Sequence, residues 1–371
     1  MLRLEMLPAE RGDSLLLEYG AGDTAEHRVL IDGGKAPAWP CLRERLMQIP
    51  VNDVGERHFD LLVITHIDTD HIDGVILLLQ DPELRCRFDD IWFNGWKHLA
   101  PLEKPKPESL GPKQGEFLGA LLAHLDLPWN RHFDGNAVII PDDGPLPRIH
   151  LAGGLTLTLL SPTLKQLLRL KRNWKKVIED VGFEPGDNGA ALIAFGERML
   201  THNSLVTLGG DDPRHFTATS RDGSVANASS IAFMAEFEGR RLLLAGDAVK
   251  PTMVPSLTRW RDEHADLGED DRIPIDAFKL PHHGSDKNVS PQLLKLLACD
   301  RYLVSTNSAG FEHPDAGAVG IIVKTHPEGT VPNFAFNYRS EHTNLFATND
   351  RWTSTYEADS IVEFPSPASD G

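Results

Sequence analysis

The stretch FDLLVITHIDTDHIDG, residues 59–74, joins an apolar run to a dense group of polar side chains. The run FDLLVIT is short and ends at a polar segment, which predicts a buried strand leading into a loop. Two histidines and three aspartates then fall within eight residues. Imidazole and carboxylate groups this close together suit a divalent ion such as Zn²⁺ or Mn²⁺. The alternative is a solvated acidic loop, which would have no use for a histidine on each side of the acidic pair.

The same succession of strand and polar loop recurs along the chain. Near the start, LRLEML, LLLEYG and HRVLIDGG predict three strands. Residues 149–160 predict a hairpin and 230–247 two further strands, whereas 38–49 and 163–181 predict helices. The segments DAFKLPHHGS and CDRYLVSTNS again run from an apolar strand into polar residues. We therefore expect an α/β protein whose chemistry lies in loops carried by a sheet.

The chain is expected to form one domain over residues 1–371, with no internal repeat. Residues 100–117 are rich in Pro, Lys and Gly and predict a surface excursion. The residues after about 364 are expected to be a disordered tail.

Composition excludes several classes of protein. Hydrophobic residues make up 41% and charged residues 25%, as in soluble globular proteins. No apolar run is long enough to span a bilayer and the N-terminus lacks a signal-peptide pattern, so we expect a cytoplasmic protein without a membrane partner. Cys41, Cys86 and Cys299 are widely separated and are interpreted as buried or incidental thiols. The net charge of −17 argues against a surface that coats nucleic acid generally.

The segment from His66 to His71 resembles the His-x-His-x-Asp-His motif of metallo-β-lactamase-fold hydrolases, with Asp68 in place of the second histidine. Together with Asp73 and Gly74 it is similar to the subgroup of the soluble hydrolase domain of the competence protein ComEC, the DNA-uptake channel. GDSLLLE, VLIDGG, NASSIAF, LLLAGD, KLPHHGS and STNSAGFEHP follow in the matching order. The resemblance covers roughly residues 1–325 and implies a four-layer αββα sandwich.

The resemblance also implies a set of metal ligands. His66 and Asp68 would hold one ion, Asp70 and His71 a second, and Asp247 would bridge both. For Asp247 the alternative is an ordinary aspartate in a turn at the end of a strand. The ligand set is completed by the adjacent pair in KLPHHGS: one imidazole binds the second ion, the other contacts substrate or an outer carboxylate, and His282 is favoured over His283 as the ligand.

The sequence departs from the resembled pattern at two positions, and these bear on the number and the kind of metal ions. Most relatives carry a further histidine before the Asp247 strand, where this chain has Asn227, so one ion and two ions are both open, with Asn227 left to contact substrate. Asp68 replaces an imidazole by a carboxylate, which is a harder ligand, and this makes Mn²⁺ a candidate ion as well as Zn²⁺.

The implied reaction is hydrolysis by a metal-activated water. Asp70 would orient that water or accept its proton. His313 would protonate a leaving group or hold a phosphate, the alternative being that it caps the helix after Pro314. Ser285 is a further candidate for substrate contact.

Helix 163–181 carries six cations in twelve residues, opposite an apolar stripe that includes Leu164, Leu167, Leu168, Trp174 and Ile178. Lys165, Arg169, Arg172 and Lys176 would guide a phosphate backbone, or would form a solvated basic face. Three functions remain open: a phosphodiesterase acting on nucleic acid, a hydrolase of a small ester, lactone or phosphodiester, and a metal-binding interaction subunit without catalysis.

Overall fold

The structure is a computed structural model that describes residues 1–22, 24–102, 113–180, 184–193 and 223–365. These residues form the mixed α/β structure that the sequence predicts. The strands are β1 (Leu2–Met6), β2 (Leu15–Tyr19), β3 (His27–Ile31), β4 (Arg57–Val63), β5 (Cys86–Trp92), β6 (Arg148–His150), β7 (Thr156–Ser161), β8 (Ala232–Phe237), β9 (Arg240–Leu244), β10 (Ile273–Ile275), β11 (Ala277–Lys279), β12 (Leu297–Cys299), β13 (Arg301–Val304), β14 (Asn333–Phe336), β15 (Thr353–Tyr356) and β16 (Val362–Phe364).

The main α-helices of the described residues divide between the two halves of the chain. Those of the first half are α1 (Trp39–Met47), α2 (Thr69–Gln80), α3 (Trp96–Leu99), α4 (Lys113–His124) and α5 (Leu164–Asp180). Those of the second half are Gly223–Ala228, Lys250–Asp262, Pro291–Lys295 and Ala316–Thr325. None of the described helices combines the length and the apolar composition needed to cross a bilayer.

Two large sheets organise the strands. The first has the order β16-β1-β2-β3-β4-β5, in which β3, β4 and β5 are parallel. The second has the order β15-β14-β13-β11-β9-β8-β7-β6, and its strands from β9 to β15 are parallel. Each sheet therefore has a parallel half, whose strands all end at one edge.

One hydrophobic core contains side chains from both large sheets, and a second covers the other face of the first sheet. Leu17 on β2 and Phe233 on β8 belong to the first core. Leu16, the neighbour of Leu17, belongs to the second core together with Ile72 of α2 and Leu167 of α5. The alternation of successive side chains across a strand explains why neighbours enter different cores.

Helix α2 begins earlier than the sequence indicates. The polar residues after β4 were expected in a loop, but the helix starts at Thr69 and places Asp70 and His71 on its first turn. The helix packs directly on the segment after β3: a Cβ on Gly74 would lie 1.9 Å from the carbonyl oxygen of Gly33. Only glycine allows this approach, which brings α2 against the end of β3.

Other predictions need adjustment. Of the expected excursion at 100–117, residues 103–112 lie outside the described residues, and residues from Lys113 onward belong to α4, where Phe117 is buried. In α5 the buried stripe runs through Leu170 rather than through Leu164 and Leu168, which are only half-buried. Of the expected tail the structure describes only residue 365. The strand just before it, β16, pairs with β1. The single domain stays a prediction.

The three thiols are free. Cys299 is buried, Cys86 half-buried and Cys41 exposed, so the interpretation as buried or incidental thiols fits.

Candidate metal centre

The predicted site residues meet where the parallel strands of both sheets end. His66 follows β4, Asp247 follows β9, and the pair His282 and His283 follows β11. The carboxyl ends of parallel strands are the usual place for ligands in α/β sheets, because the polar loops converge there.

Asp247 lies at the centre of this cluster. Its Oδ1 is 3.6 Å from His71 Nε2 and 3.8 Å from His283 Nε2. Its Oδ2 is 3.8 Å from His66 Nε2 and 3.9 Å from His282 Nε2. Each oxygen of one carboxylate thus faces its own pair of imidazoles, as a bridging ligand would require.

The backbone of the histidine pair is unusual. His282 and His283 have φ values of 50° and 56°, so two successive non-glycine residues occupy the left-handed region. Such conformations cost free energy and are found mainly where function needs them. Gly284 follows with φ +89°, and a Cβ there would lie 2.7 Å from the Pro314 side chain.

Two of the rings have a definite tautomer. His71 Nδ1 lies 2.7 Å from Asp32 Oδ2, and His283 Nδ1 lies 2.9 Å from the carbonyl oxygen of Ser305. A carboxylate and a carbonyl can only accept, so each Nδ1 carries the proton. The Nε2 atoms, which face Asp247, are therefore the nitrogens that carry the lone pair when each ring is neutral.

His66 has the same tautomer, which is set by the Thr65 hydroxyl group between His66 and Asp32. Its Nδ1 is 2.9 Å from Thr65 Oγ1 and 3.2 Å from Ser230 Oγ. The Thr65 hydroxyl donates its only proton to Asp32 Oδ2, 2.7 Å away. It must therefore accept from His66, whose Nε2 is left with a lone pair.

The residues present fit a divalent transition-metal ion. Nε2 of His66, His71 and His283 and Oδ1 of Asp247 are all buried and without a hydrogen bond among the described residues. An unsatisfied buried polar group costs about 1–3 kcal/mol, so four at one point call for a compensating partner. The ligand atoms of His66, His71 and Asp247 lie within 4.8 Å of one another, and imidazole with carboxylate is a donor set for Zn²⁺ or Mn²⁺.

The two members of the histidine pair lie on different sides of Asp247, and which of them binds the second ion stays a prediction. His283 is the buried member, and its ligand atom lies within 4.8 Å of those of Asp70 and His71. His282 faces the His66 side of Asp247. Its Nδ1 lies 3.3 Å from Asn288 Oδ1, and its Nε2 is the nitrogen that faces the cluster.

Asn227 lies beside His282, with its Nδ2 3.4 Å from both ring nitrogens. His282 thus stands beside Asn227, the position at which the sequence departs from the resembled pattern. The sequence could not reveal this, because His282 and Asn227 lie 55 residues apart.

The two remaining aspartates flank the cluster. Asp68 Oδ2 is 3.5 Å from His66 Nε2, and its side chain is about one-third exposed. Asp70 lies on the opposite side, with Oδ2 3.7 Å from Arg11 Nε. Burial acts to raise the pKa of Asp70, but His71 and His283 outweigh it and the pKa is lowered.

Two buried aspartates support the ligands and were not singled out from the sequence. Asp32, fully buried, holds His71 and also accepts from the Thr65 backbone N–H at 2.7 Å. Asp13 accepts from Lys279 Nζ at 2.6 Å and has Oδ1 3.4 Å from His283 Nδ1. Their positions in VLIDGG and GDSLLLE, segments already part of the resemblance, were the available signal.

The charges of the cluster are strongly coupled. Burial opposes ionisation of His71, but Asp247 and then Asp32 raise its pKa well above the usual range. Burial likewise acts to raise the pKa of Asp247, but His283 and His71 keep it well below its usual range. Without metal, the protonated form of His71 next to Asp247 is favoured, so metal binding at His71 should release a proton.

His313 stands beside the cluster rather than at the helix start. Its ring centroid is 5.4 Å from that of His282, and its Nδ1 lies 3.1 Å from Asp315 Oδ1. Asp315, not His313, is the N-cap residue of the helix that begins at Ala316. Burial lowers the pKa of His313, although Asp315 partly offsets the effect.

Ser285 lies in the segment that directly follows the histidine pair and Gly284. It is buried and donates to Asp315 Oδ2 at 3.4 Å. Asp315 in turn contacts His313, and the expected contact of Ser285 with substrate stays a prediction.

The cationic residues of α5 are not all equivalent. Lys165, Arg169 and Arg172 are exposed and Lys176 is half-buried. Lys171 is buried and donates to the Ala100 carbonyl oxygen. Helix α5 packs on the helix Gly223–Ala228, which carries Asn227 to the cluster.

No protein-family model matches this chain, and no curated protein matches it. A mutant of the CmlA β-hydroxylase is similar at 14% identity and a TM-score of 0.34, over 82% of this chain and 45% of that one. The diiron β-hydroxylase CmlA from Streptomyces venezuelae is similar at 12% and 0.34, over 86% and 47%. A metallo-β-lactamase with a HARLDQ motif from Cronobacter sakazakii is similar at 11% and 0.32, over 85% of both chains. The chain spans less than half the length of the CmlA structures, and likeness at this level carries no conclusion about activity.

Proposed function

We propose that this protein is a metal-dependent hydrolase with a four-layer αββα sandwich of the metallo-β-lactamase type, and that its substrate is a phosphodiester in nucleic acid. Two sheets that share one core, with helices packed on the outer face of the first, support this architecture. The motifs also follow one another in the order of the resembled family.

The observation that carries the proposal is the convergence of four buried, unsatisfied ligand atoms around Asp247. In their neutral forms three imidazoles would present lone pairs there, because their outward nitrogens are occupied. Such outer hydrogen bonds orient metal-binding histidines in known sites.

The distances favour two ligand sets that share Asp247. The first set is His66, Asp68 and His282 with Asp247 Oδ2. The second is Asp70, His71 and His283 with Asp247 Oδ1. Bound Zn²⁺ or Mn²⁺, as one or two ions, would supply a water that is deprotonated near neutral pH and would stabilise negative charge on the substrate.

The remaining groups would position substrate and protons. Asp70 is held in its anionic form by His71 and His283, so its carboxylate can orient the attacking water or accept its proton. His313 is held at Nδ1 by Asp315, which leaves Nε2 for the substrate. An anionic substrate would favour the protonated ring, the form that can give a proton to a leaving oxygen.

A small ester or lactone is the alternative substrate, because the cluster alone does not select phosphorus over carbon. The exposed cations Lys165, Arg169 and Arg172 favour a polyanion in a chain with a net charge of −17.

The first test measures metal content and turnover of bis-p-nitrophenyl phosphate. We expect at least one ion per chain after reconstitution with Zn²⁺ or Mn²⁺. The Asp247→Asn variant should remain folded and lose turnover, because the amide keeps the size of the side chain but not its charge. Less than about 0.2 ions per chain would exclude the metal centre, and metal without turnover of any ester would identify a binding subunit.

The second test separates a polymer from a small substrate. Replacing Lys165, Arg169, Arg172 and Lys176 together by Glu should weaken polynucleotide hydrolysis and flatten its salt dependence by about one unit of slope for each lost phosphate contact. Turnover of the small diester should survive. An unchanged ratio of the two rates would show that these cations form only a solvated face.

A further inference from the structure

A series of side-chain contacts outside the metal ligands connects the two ligand sets. Arg11 Nε lies 3.7 Å from Asp70 Oδ2, and the Arg11 guanidinium carbon lies 5.3 Å from the centre of the Phe311 ring. The Phe311 ring is nearly parallel to that of His313, with centroids 6.1 Å apart and an interplanar angle of 13°. His313 in turn contacts His282. Phe311 therefore lies between the flank that carries Asp70 and the flank that carries His282.

Phe311 is 59% exposed, although removing a large apolar ring from water is favourable. The segment around it is held by hydrogen bonds. Ser308 Oγ donates to the His313 carbonyl oxygen at 2.7 Å, and the Ala309 N–H donates to Asn307 Oδ1 at 2.9 Å. Single exposed apolar residues are common, but this ring is fixed beside a cation and an imidazole at the candidate metal centre.

Arg11 is held in place by its backbone. The Asn307 N–H donates to the Glu10 carbonyl oxygen at 2.8 Å, and Ser305 Oγ donates to the Gly12 carbonyl oxygen at 2.6 Å. A Cβ on Gly12 would lie 1.6 Å from the backbone oxygen of Asp70, so this segment packs directly on the start of α2.

The guanidinium group of Arg11 has unused hydrogen-bonding capacity. Its Nε is buried and makes no hydrogen bond within the described part of the chain. The ion pair with Asp70 is too long for one. A planar guanidinium is the group best matched to phosphate oxygens.

We propose that Arg11 and Phe311 form a nucleotide-recognition subsite: Arg11 donates to a non-bridging oxygen of the scissile phosphate, and Phe311 stacks on the base of the adjoining nucleotide. This inference rests on the proposed function and narrows its substrate to single-stranded nucleic acid. A base inside a duplex is already stacked and cannot offer its face to a side chain.

The test uses the variant Phe311→Leu, which keeps an apolar side chain but removes the aromatic ring. Two single-stranded oligonucleotides are compared, one with every base and one with an abasic residue at the cleaved linkage. We expect kcat/KM of the variant to fall about tenfold for the linkage with a base, the order of loss that one stacked base accounts for, and less than about twofold for the abasic linkage. Equal losses on both linkages, or none, would overturn the proposal.

A binding measurement makes this test independent of catalysis. A single-stranded oligonucleotide carrying 2-aminopurine is added to metal-free protein, and its fluorescence reports stacking of the base. Wild type should quench the signal, Phe311→Leu should not, and Arg11→Gln should weaken binding of base-bearing and abasic strands alike. Val54→Ala is the control, because Val54 is also exposed (63%) but lies in the loop before β4.

The outcomes separate the two proposals. If wild type cleaves no phosphodiester but quenches through Phe311, the proposed function fails and the subsite stands. If wild type cleaves both strands but Phe311→Leu binds and cleaves like wild type, the function stands and the subsite is overturned.

Discussion

Replacing Asp32 by Asn is expected to weaken metal binding without unfolding the chain. Asp32 touches no inward-facing ligand atom, yet its Oδ2 lies 2.7 Å from His71 Nδ1 and its Oδ1 accepts from the Thr65 N–H. In the Asp32→Asn variant the amide oxygen must stay on the Thr65 N–H, because that group is a donor. The amide NH₂ group then faces His71.

The consequence is a change of tautomer at His71. Its Nδ1 must accept from the amide, so the proton moves to Nε2, the atom that faces Asp247. A protonated Nε2 cannot bind metal. Loss of an outer carboxylate of this kind costs 10- to 100-fold in metal affinity, or about 1.4–2.7 kcal/mol.

The measurement is a competition titration of metal-free protein with a chromophoric chelator, using Zn²⁺ and Mn²⁺, beside urea unfolding of the same samples. Asp60→Asn is the matched control. Asp60 is also a buried carboxylate that accepts from a histidine, His27 at 2.9 Å, and from a backbone N–H, that of Arg28 at 2.8 Å, but it lies outside the cluster.

Both variants should lose stability, and only Asp32→Asn should lose affinity. If Asp32→Asn kept the metal affinity of wild type, or if Asp60→Asn lost as much metal affinity, Asp32 would not support metal binding through its hydrogen bond with His71.

Gly12→Ala should displace the first turn of α2 and lower metal affinity, because the added Cβ would lie 1.6 Å from the Asp70 carbonyl oxygen. Gly320→Ala, in a helix with open space around this glycine, should instead stabilise the chain by up to about 1 kcal/mol. Chelator titration and thermal unfolding check both variants. Asp90→Asn should destabilise the chain by about 2 kcal/mol at pH 7, since Asp90 accepts from His132 Nδ1 at 2.6 Å. Burial acts to raise the pKa of Asp90, but the hydrogen bonds from His132 outweigh it and lower the pKa. This contribution is present above the unfolded pKa near 4 and is lost as the pH falls through the lower folded value, so the difference between wild type and variant in urea unfolding should shrink below about pH 4; a difference that is constant with pH would contradict the assignment.

Local sequence patterns predicted many of the secondary-structure elements, although not β5. The strands before the ligand-rich stretch, the hairpin of β6 and β7, the strands β8 and β9 and the helix α5 lie close to where periodicity placed them. The errors have local causes. Polar residues hid the start of α2, because an amphipathic first turn that carries ligands resembles a loop. In α5 Leu170 is buried instead of Leu168, since the angle at which the helix packs selects among neighbouring apolar residues.

The sequence by itself determined which residues gather at the candidate metal centre: the group from His66 to His71, Asp247 and the histidine pair all meet in the structure. Only the tertiary structure decided what each of them faces. His282 and His283 are neighbours in sequence, yet His282 faces Oδ2 of Asp247 and His283 faces Oδ1. Both residues adopt left-handed backbone conformations. The outer partners lie far away along the chain, 39 residues between His71 and Asp32 and 266 between Lys279 and Asp13. Periodicity reports only neighbours within a few turns, whereas these pairs form where two sheets bring their strand ends together.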